Sequence, residues 1–376
     1  MNRYFFNMLL RYAHLFFAGT FQLENSDMDR ELVIAALRFR ACALFKELDD
    51  SQIFAVRLPN GTIGYCCCMG HGGEHYALAL YRGSQDFSTY LNITSCIQLN
   101  PVELFERNLT FHMIQCDFEN AADCVTDKKD REFIKKVAKE EGLKICRPKG
   151  WPDFVEFDGS VQKVGIDNEA DRRDMEFVLQ AGCEVARKIK GLSMTDIRDL
   201  GFDPYYPTDE EPKTIPLLTR LADGSWHWDQ IKTPHYQNVK FEAVKFDRPM
   251  APVQLKGMEH LGTFLCRIIH SPIPVTEGNT RYYPVELLTT LSPGGELPFI
   301  PQFTKEVSGW EAEILDSFVE NIKAFGTCPE SIETDDRRTY MLLEDFCKKT
   351  GIALHLKKER IKSLDEFMSY MMFLMG

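Results

Sequence analysis

The 376-residue chain contains no Cys-x-x-Cys pair despite its 12 cysteines, so neither a zinc ribbon nor a thioredoxin-like site is spelled out. It has no Gly-x-x-x-x-Gly-Lys-Ser/Thr loop, no Gly-x-Ser-x-Gly elbow and no Gly-x-Gly-x-x-Gly after a strand. Phosphate cradling and serine-hydrolase chemistry thereby lose their commonest signatures. Lys and Arg form no long block, and a formal charge of −12 argues against nonspecific nucleic-acid binding, which works by neutralising phosphates. Such an acidic surface serves solubility. There is no internal repeat, heptad run or low-complexity tract. Nor is there an unbroken apolar run of the ~20 residues that a spanning helix needs.

The N-terminal segment tests that last point. Phe5, Phe6, Leu9, Leu10, Leu15, Phe16 and Phe17 make residues 1–27 apolar, but Asn7, Arg11 and His14 interrupt the run. No Ala-x-Ala cleavage site follows, so a signal peptide does not fit. Met28 precedes Asp29-Arg30-Glu31, a helix opening with acidic residues in its first turn. The expectation is a cytoplasmic protein, with Met28 as the true start or 1–27 as a loosely attached extension. The cysteines sit mostly among apolar neighbours, as buried thiols do, and no disulfide scaffold is expected.

What is present reads as α+β. Residues 30–48 carry Ile34, Leu37, Ala41, Leu44, Phe45 and Leu48 at helical spacing. Ile53–Leu58, Ile63–Met69 and Tyr76–Tyr81 form an antiparallel meander, with Asn60-Gly61 at the first turn and Gly70 to Glu74 at the second. A strand at Phe111–Phe118 and helices near 128–141 and 169–190 complete an N-terminal domain over 28–190. Residues 191–254 form a connecting region that contains a hairpin with Ala222-Asp223-Gly224 at its turn. Trp226 and Trp228 share one strand face there, and a core position outweighs a stacking surface for them. Residues 255–376 read as a mixed α/β unit of order βββαβαβα. Its strands are expected at Leu261–His270, at Tyr282–Thr290 and near Leu297, then at Ser331–Thr334 and Ile352–Leu356. That order is like the ribonuclease H architecture.

Two places could carry chemistry. His71-Gly72-Gly73-Glu74-His75 matches His-x-x-Glu-His, a zinc pattern that needs both histidines on one helix face. Two glycines cost about 1 kcal/mol each in a helix interior, and strands flank the motif on both sides. The glycines are better read as turn geometry; His71, Glu74 and His75 would hold a metal only with ligands from elsewhere. In the last unit, Glu333, Asp335 and Asp336 follow a strand where a ribonuclease H fold keeps a metal-binding carboxylate. Two-metal catalysis needs another on the first strand, read here as Tyr282–Thr290, which offers only Glu286. A solvated helix cap is the simpler reading of the acidic cluster. Cys66-Cys67-Cys68 reads as buried structure, with Cys66 and Cys68 on one face and Cys67 on the other.

Gly64-Tyr65-Cys66-Cys67-Cys68-Met69-Gly70 followed by Gly73-Glu74-His75-Tyr76-Ala77-Leu78-Ala79-Leu80-Tyr81 resembles a family of uncharacterised bacterial proteins. Gly150-Trp151-Pro152-Asp153-Phe154 looks like its later motif. Pro272-Ile273-Pro274, Glu277-Gly278 and Arg281-Tyr282-Tyr283-Pro284 are similar to a second uncharacterised domain found behind the first. His71 does not belong to the first pattern. The resemblance covers about 30–190 and 255–376 and implies no activity. The expected function is that of a non-catalytic binding or interaction protein, with no cofactor and a protein partner as one option. The alternatives are a metal-dependent hydrolase built on the 71–75 turn and a nucleic-acid-related module with a degenerate ribonuclease H-like domain.

Overall fold

The computed structural model describes residues 28–73, 75–94, 101–124, 126–203, 212–235, 240–300 and 302–374. The 1–27 extension and Glu74 lie outside the described residues. The chain divides into two compact units. The first holds the residues to Leu99, Arg107–Gln237 and Thr276–Arg281; the second holds Asn100–Glu106, Asn238–Val275 and the residues from Tyr282 onward.

In chain order the elements begin with α1 (Arg30–Cys42), β1 (Phe54–Arg57), β2 (Ile63–Met69), β3 (Tyr76–Arg82), α2 (Gly83–Thr94) and α3 (Pro101–Asn108). They continue with β4 (His112–Glu119), α4 (Lys128–Glu140), β5 (Trp151–Asp158), β6 (Val161–Val164), α5 (Glu169–Ile189), α6 (Met194–Asp199), β7 (Thr214–Arg220) and β8 (Trp226–Lys232). Then come α7 (Ala251–Lys256), β9 (Glu259–His260), β10 (Thr263–His270), β11 (Val275–Glu277), β12 (Thr280–Tyr282) and β13 (Val285–Ser292). The last are α8 (Trp310–Phe325), β14 (Thr327–Cys328), β15 (Ser331–Thr334), α9 (Arg337–Thr350), β16 (Ala353–Leu356) and α10 (Lys362–Phe373).

The meander expected at the start is the centre of the first unit. Its strands lie in a 10-stranded sheet of order β11-β12-β6-β5-β4-β3-β2-β1-β7-β8. The Asn60-Gly61 turn pairs Phe54 with Cys66 and Ala55 with Tyr65. In the next turn Gly70 has φ +124, and a Cβ there would come within 2.7 Å of the His75 carbonyl oxygen, so only glycine fits. The 214–232 hairpin joins this sheet, because β7 pairs in parallel with β1 at Ala55–Leu217 and Val56–Leu218.

Strand alternation sorts the side chains of this sheet onto two buried faces. Cys66, Cys68, Leu78, Leu80, Cys116 and Phe118 share a core with Ala36 and Phe39 of α1 and Val178 and Leu179 of α5. Tyr65, Cys67, Met69, Ala77, Ala79 and Tyr81 share the other with Phe87, Tyr90 and Leu91 of α2. The sequence reading does not anticipate α2, although these last three recur at i, i+3 and i+4 as a helix stripe does. Each large apolar side chain buried this way contributes about 1.5–3 kcal/mol.

The second unit is built on a four-stranded sheet of order β13-β10-β15-β16. β10 runs antiparallel to β13 and parallel to β15, and β15 runs parallel to β16. Ile314, Phe318 and Ile322 of α8 and Leu342 and Phe346 of α9 pack on the Phe264, Cys266 and Ile268 face. Two details depart from the sequence reading. Tyr282–Thr290 is not one strand but the end of β12 and most of β13, and β13 lies at the edge beside β10. The strand expected near Leu297 is not found among the described residues; the neighbour of β13 there is a single bridge between Val285 and Thr304. No described helix is long and apolar enough to cross a membrane.

Candidate functional site

The Gly70–Gly73 turn leads His75 into the polar end of the inner sheet face. His75 comes just before β3, with the parity of Ala77 and Ala79, and is buried. β4 lies beside β3 with Ala79 opposite Gln115 and Ala77 opposite Asp117, so the register carries on to place His75 near Glu119. The imidazole Nε2 is 3.0 Å from Asp117 Oδ1, and Nδ1 is 3.9 Å from Glu119 Oε1. The Gln115 amide nitrogen donates to Asp117 Oδ1 at 2.5 Å. On the next strand Asp153 pairs across from Asp117 and accepts hydrogen bonds from the Thr126 backbone N–H and hydroxyl. Lys149 Nζ, 3.4 Å from Glu119 Oε2, supplies a positive charge.

Asp50 borders the same end. Its carboxyl is pushed up to about 6 by burial, with Asp49 adding to the effect while His71 and His75 oppose it. Its carbonyl accepts from the Cys67 thiol at 3.1 Å and the Tyr90 hydroxyl at 3.2 Å. His71 itself is exposed on the turn, so the structure separates the two histidines of the motif into different surroundings. Among the described residues no group of three His, Cys, Asp or Glu side chains is arranged to hold a metal ion.

The partners of His75 leave a signal in the sequence. Gln115 and Asp117 alternate along the strand expected at Phe111–Phe118 and Glu119 follows it in the same parity, and alternating polar residues ordinarily mark a solvent face. Here that face is interior. Cys66, Cys67 and Cys68 are buried as expected, and burial pushes all three thiols up. They are poor nucleophiles, since the thiolate is the reactive form.

The carboxylates of the second unit are committed to structural roles. Asp336 is the N-cap of α9 and accepts from the backbone of Arg338 and Thr339 and from the Thr339 hydroxyl. Asp335 is not a solvated cap residue: its side chain is only 3% exposed and is clamped by the Arg267 fork, with Nε to Oδ1 at 2.8 Å and Nη2 to Oδ2. Arg267 also reaches Asp365 at 2.6 Å, and Asp365 is shared with Arg360. Arg360 in turn faces Glu103 at 3.7 Å and Glu106 at 3.3 Å. Glu333 pairs with Lys357 at 3.1 Å. β15 pairs with β10 and β16, not with Tyr282–Thr290, so the residue facing Asp335 from β10 is Arg267 rather than Glu286. Glu286 is buried on β13 opposite Ile269, and burial pushes its carboxyl up to about 7.

The first unit also holds a cavity of about 320 Å³, lined by Glu31, Ile34, Ala35, Arg38, Gln180, Cys183, Arg220 and Trp226. Trp226 packs on Phe177 with ring centroids 5.1 Å apart, and the Arg220 guanidinium lies 5.4 Å over its ring while donating to Gln180. The Trp228 indole N–H points to Glu184 at 3.4 Å. Both tryptophans thus pack against the core, as their alternation suggests. Arg38 is exposed and makes no ion pair among the described residues. Nothing in the sequence brings these residues together, because they come from α1, α5, β7 and β8.

Residues 30–199 match the family model of a domain of unknown function, DUF7309, and residues 254–372 match that of another, DUF6930. No curated protein and no solved structure matches the chain. The chain is thus similar, in succession, to two domains of unknown function.

Proposed function

We propose that the chain is a non-catalytic binding protein whose first unit takes a small anionic ligand with a flat apolar part. The cavity beside Trp226 carries this reading. Its volume of about 320 Å³ suits a small molecule. Ile34, Ala35 and Cys183 form an apolar wall, the indole offers a flat surface, and Arg38 has a guanidinium free to meet a carboxylate or phosphate. Two arginines against the single carboxylate of Glu31 favour an anion in a chain that is otherwise acidic. Indole-3-acetate, benzoate and AMP are suitable probes, followed by isothermal titration. At least one should bind with a Kd below about 1 mM, and Arg38→Glu should weaken it at least tenfold. Heats no larger than those of a Trp226→Ala variant with all three probes would end this reading.

A second reading rests on the strand order of the second unit. The central strand β10 is flanked by an antiparallel and a parallel neighbour, and the two parallel strands are each followed by a helix, as in the ribonuclease H order. Arg267 faces the carboxylate that such a fold would use for metal, which supports a nucleic-acid-related module without nuclease chemistry. A salt-sensitive mobility shift with single- or double-stranded nucleic acid decides it. The hydrolase alternative would use the 71–75 turn, and the metal content of the purified chain decides that one.

A further inference from the structure

Gly182 in the middle of α5 brings that helix unusually close to α1. A Cβ at Gly182 would lie 2.6 Å from Cε2 of the Phe39 ring, so the ring rests directly against the α5 backbone. Cys42 follows Phe39 by three residues and therefore lies one turn along on the same side of α1. Cys183 follows Gly182 directly. Cys183 lines the cavity together with Ala35 and Arg38 of α1, and Cys42 lies one turn beyond Arg38, so the close approach that glycine permits brings a thiol from each helix to the same region of one core cluster. The Cys42 thiol donates to the Phe39 carbonyl at 3.0 Å, each of the two thiols shifts the titration of the other, and neither is in a disulfide. Both residues are half-buried rather than sealed, and Cys183 lines the 320 Å³ cavity, which gives a small oxidant a route to the pair.

We propose that Cys42 and Cys183 form a reversible oxidation site that reacts with hydroperoxides and closes to a disulfide. In the first step the Cys42 thiolate attacks a peroxide oxygen and the O–O bond breaks. The leaving hydroxide takes up a proton as water, and Cys42 becomes a sulfenic acid. In the second, the Cys183 thiolate attacks the Cys42 sulfur, the S–O bond breaks and a second water leaves. Hydrogen peroxide is thereby reduced to two waters while the two thiols lose two electrons.

The surroundings favour Cys42 as the first to react. The neighbouring Cys183 thiol lowers the Cys42 thiol below the usual range against the opposing effect of burial, while Cys42 and burial both raise Cys183. The pair thus releases its first proton more readily than an isolated thiol. The other nearby thiol, Cys68, is fully buried and pushed well up by burial, with the Cys42 charge adding to the effect. This site does not depend on what the cavity binds.

The test uses the full chain, reduced, exposed to one equivalent of hydrogen peroxide and then alkylated before peptide mapping. The expected product is a cross-linked pair of peptides carrying Cys42 and Cys183, reversed by dithiothreitol and absent from both Cys42→Ser and Cys183→Ser. Cys146, half-buried elsewhere in the first unit, is the internal reference. The proposal is overturned if Cys42 and Cys183 stay as open to alkylation as Cys146 after peroxide, or if Cys42 links to Cys68. Because this comparison is made within the wild-type chain, it decides the matter even if a serine variant fails to fold.

Discussion

Arg267→Met should destabilise the second unit by about 3–5 kcal/mol, the usual loss when one partner of a buried ion pair is removed. The substitution leaves Asp335, 3% exposed, without the guanidinium that holds both of its oxygens. Its remaining donor, the Ile361 backbone N–H, cannot neutralise a buried charge. Asp365 loses less, since Arg360 still holds it at 2.6 Å. Amide exchange in β10 and β15 is the measurement, and protection there should fall by a factor of about one hundred or more. The double variant Arg267→Met with Asp335→Leu should recover most of the loss, because an apolar pair removes the buried charge instead of stranding it. If the double variant is no more stable than the single one, the ion pair is not what holds this face together.

Glu286→Gln should stabilise the same unit at alkaline pH and leave it nearly unchanged at pH 5. Burial pushes the Glu286 carboxyl up to about 7, against an ordinary value of 4.5 in the unfolded chain. Between those values the folded chain binds a proton that the unfolded chain has released, so the stability Glu286 allows below the lower value is lost as pH rises through 7. Above pH 8 the loss approaches about 3 kcal/mol, and a neutral amide of the same shape does not incur it. The Gln302 backbone N–H that serves the carboxylate can serve the amide oxygen equally well. Urea unfolding of both proteins from pH 5 to pH 9 reads the effect as a gap in midpoint that opens with pH. A gap constant across that range would show that the Glu286 carboxyl does not titrate near 7 in the folded chain.

These two residues also show where the sequence reading reached its limit. Asp335, Asp336 and Glu286 were all visible as carboxylates near strands, and the capping role of Asp336 follows from its place before an amphipathic helix. Arg267 carried no such mark, because a single arginine in an apolar strand reads as an edge or a solvent contact. Only the parallel pairing of Leu265 with Glu333 places it against Asp335. The strands of the second unit at 263–270, 331–334 and 353–356 were legible from turns and periodicity, but the strand expected near Leu297 was not found among the described residues. Which strand lay at its centre was not legible, since Pro284 separates β12 from β13 in a run that reads as continuous.

In the first unit the local sequence determined a great deal. Asn60-Gly61 and Gly70 to Gly73 set two turns, and alternation then put Cys66 and Cys68 on one face and Cys67 on the other. Turn chemistry and a two-residue period are properties of neighbouring residues, so they can be read along the chain. The partners of His75, the cavity at Trp226 and the meeting of Cys42 with Cys183 were decided by tertiary structure alone. Each depends on which strand pairs with which and on how closely two helices approach, and such contacts join residues that are remote along the chain. Sequence alone therefore determined that Gly70–His75 is a turn entering a strand. The fold decided that this strand carries His75 into a buried cluster of carboxylates.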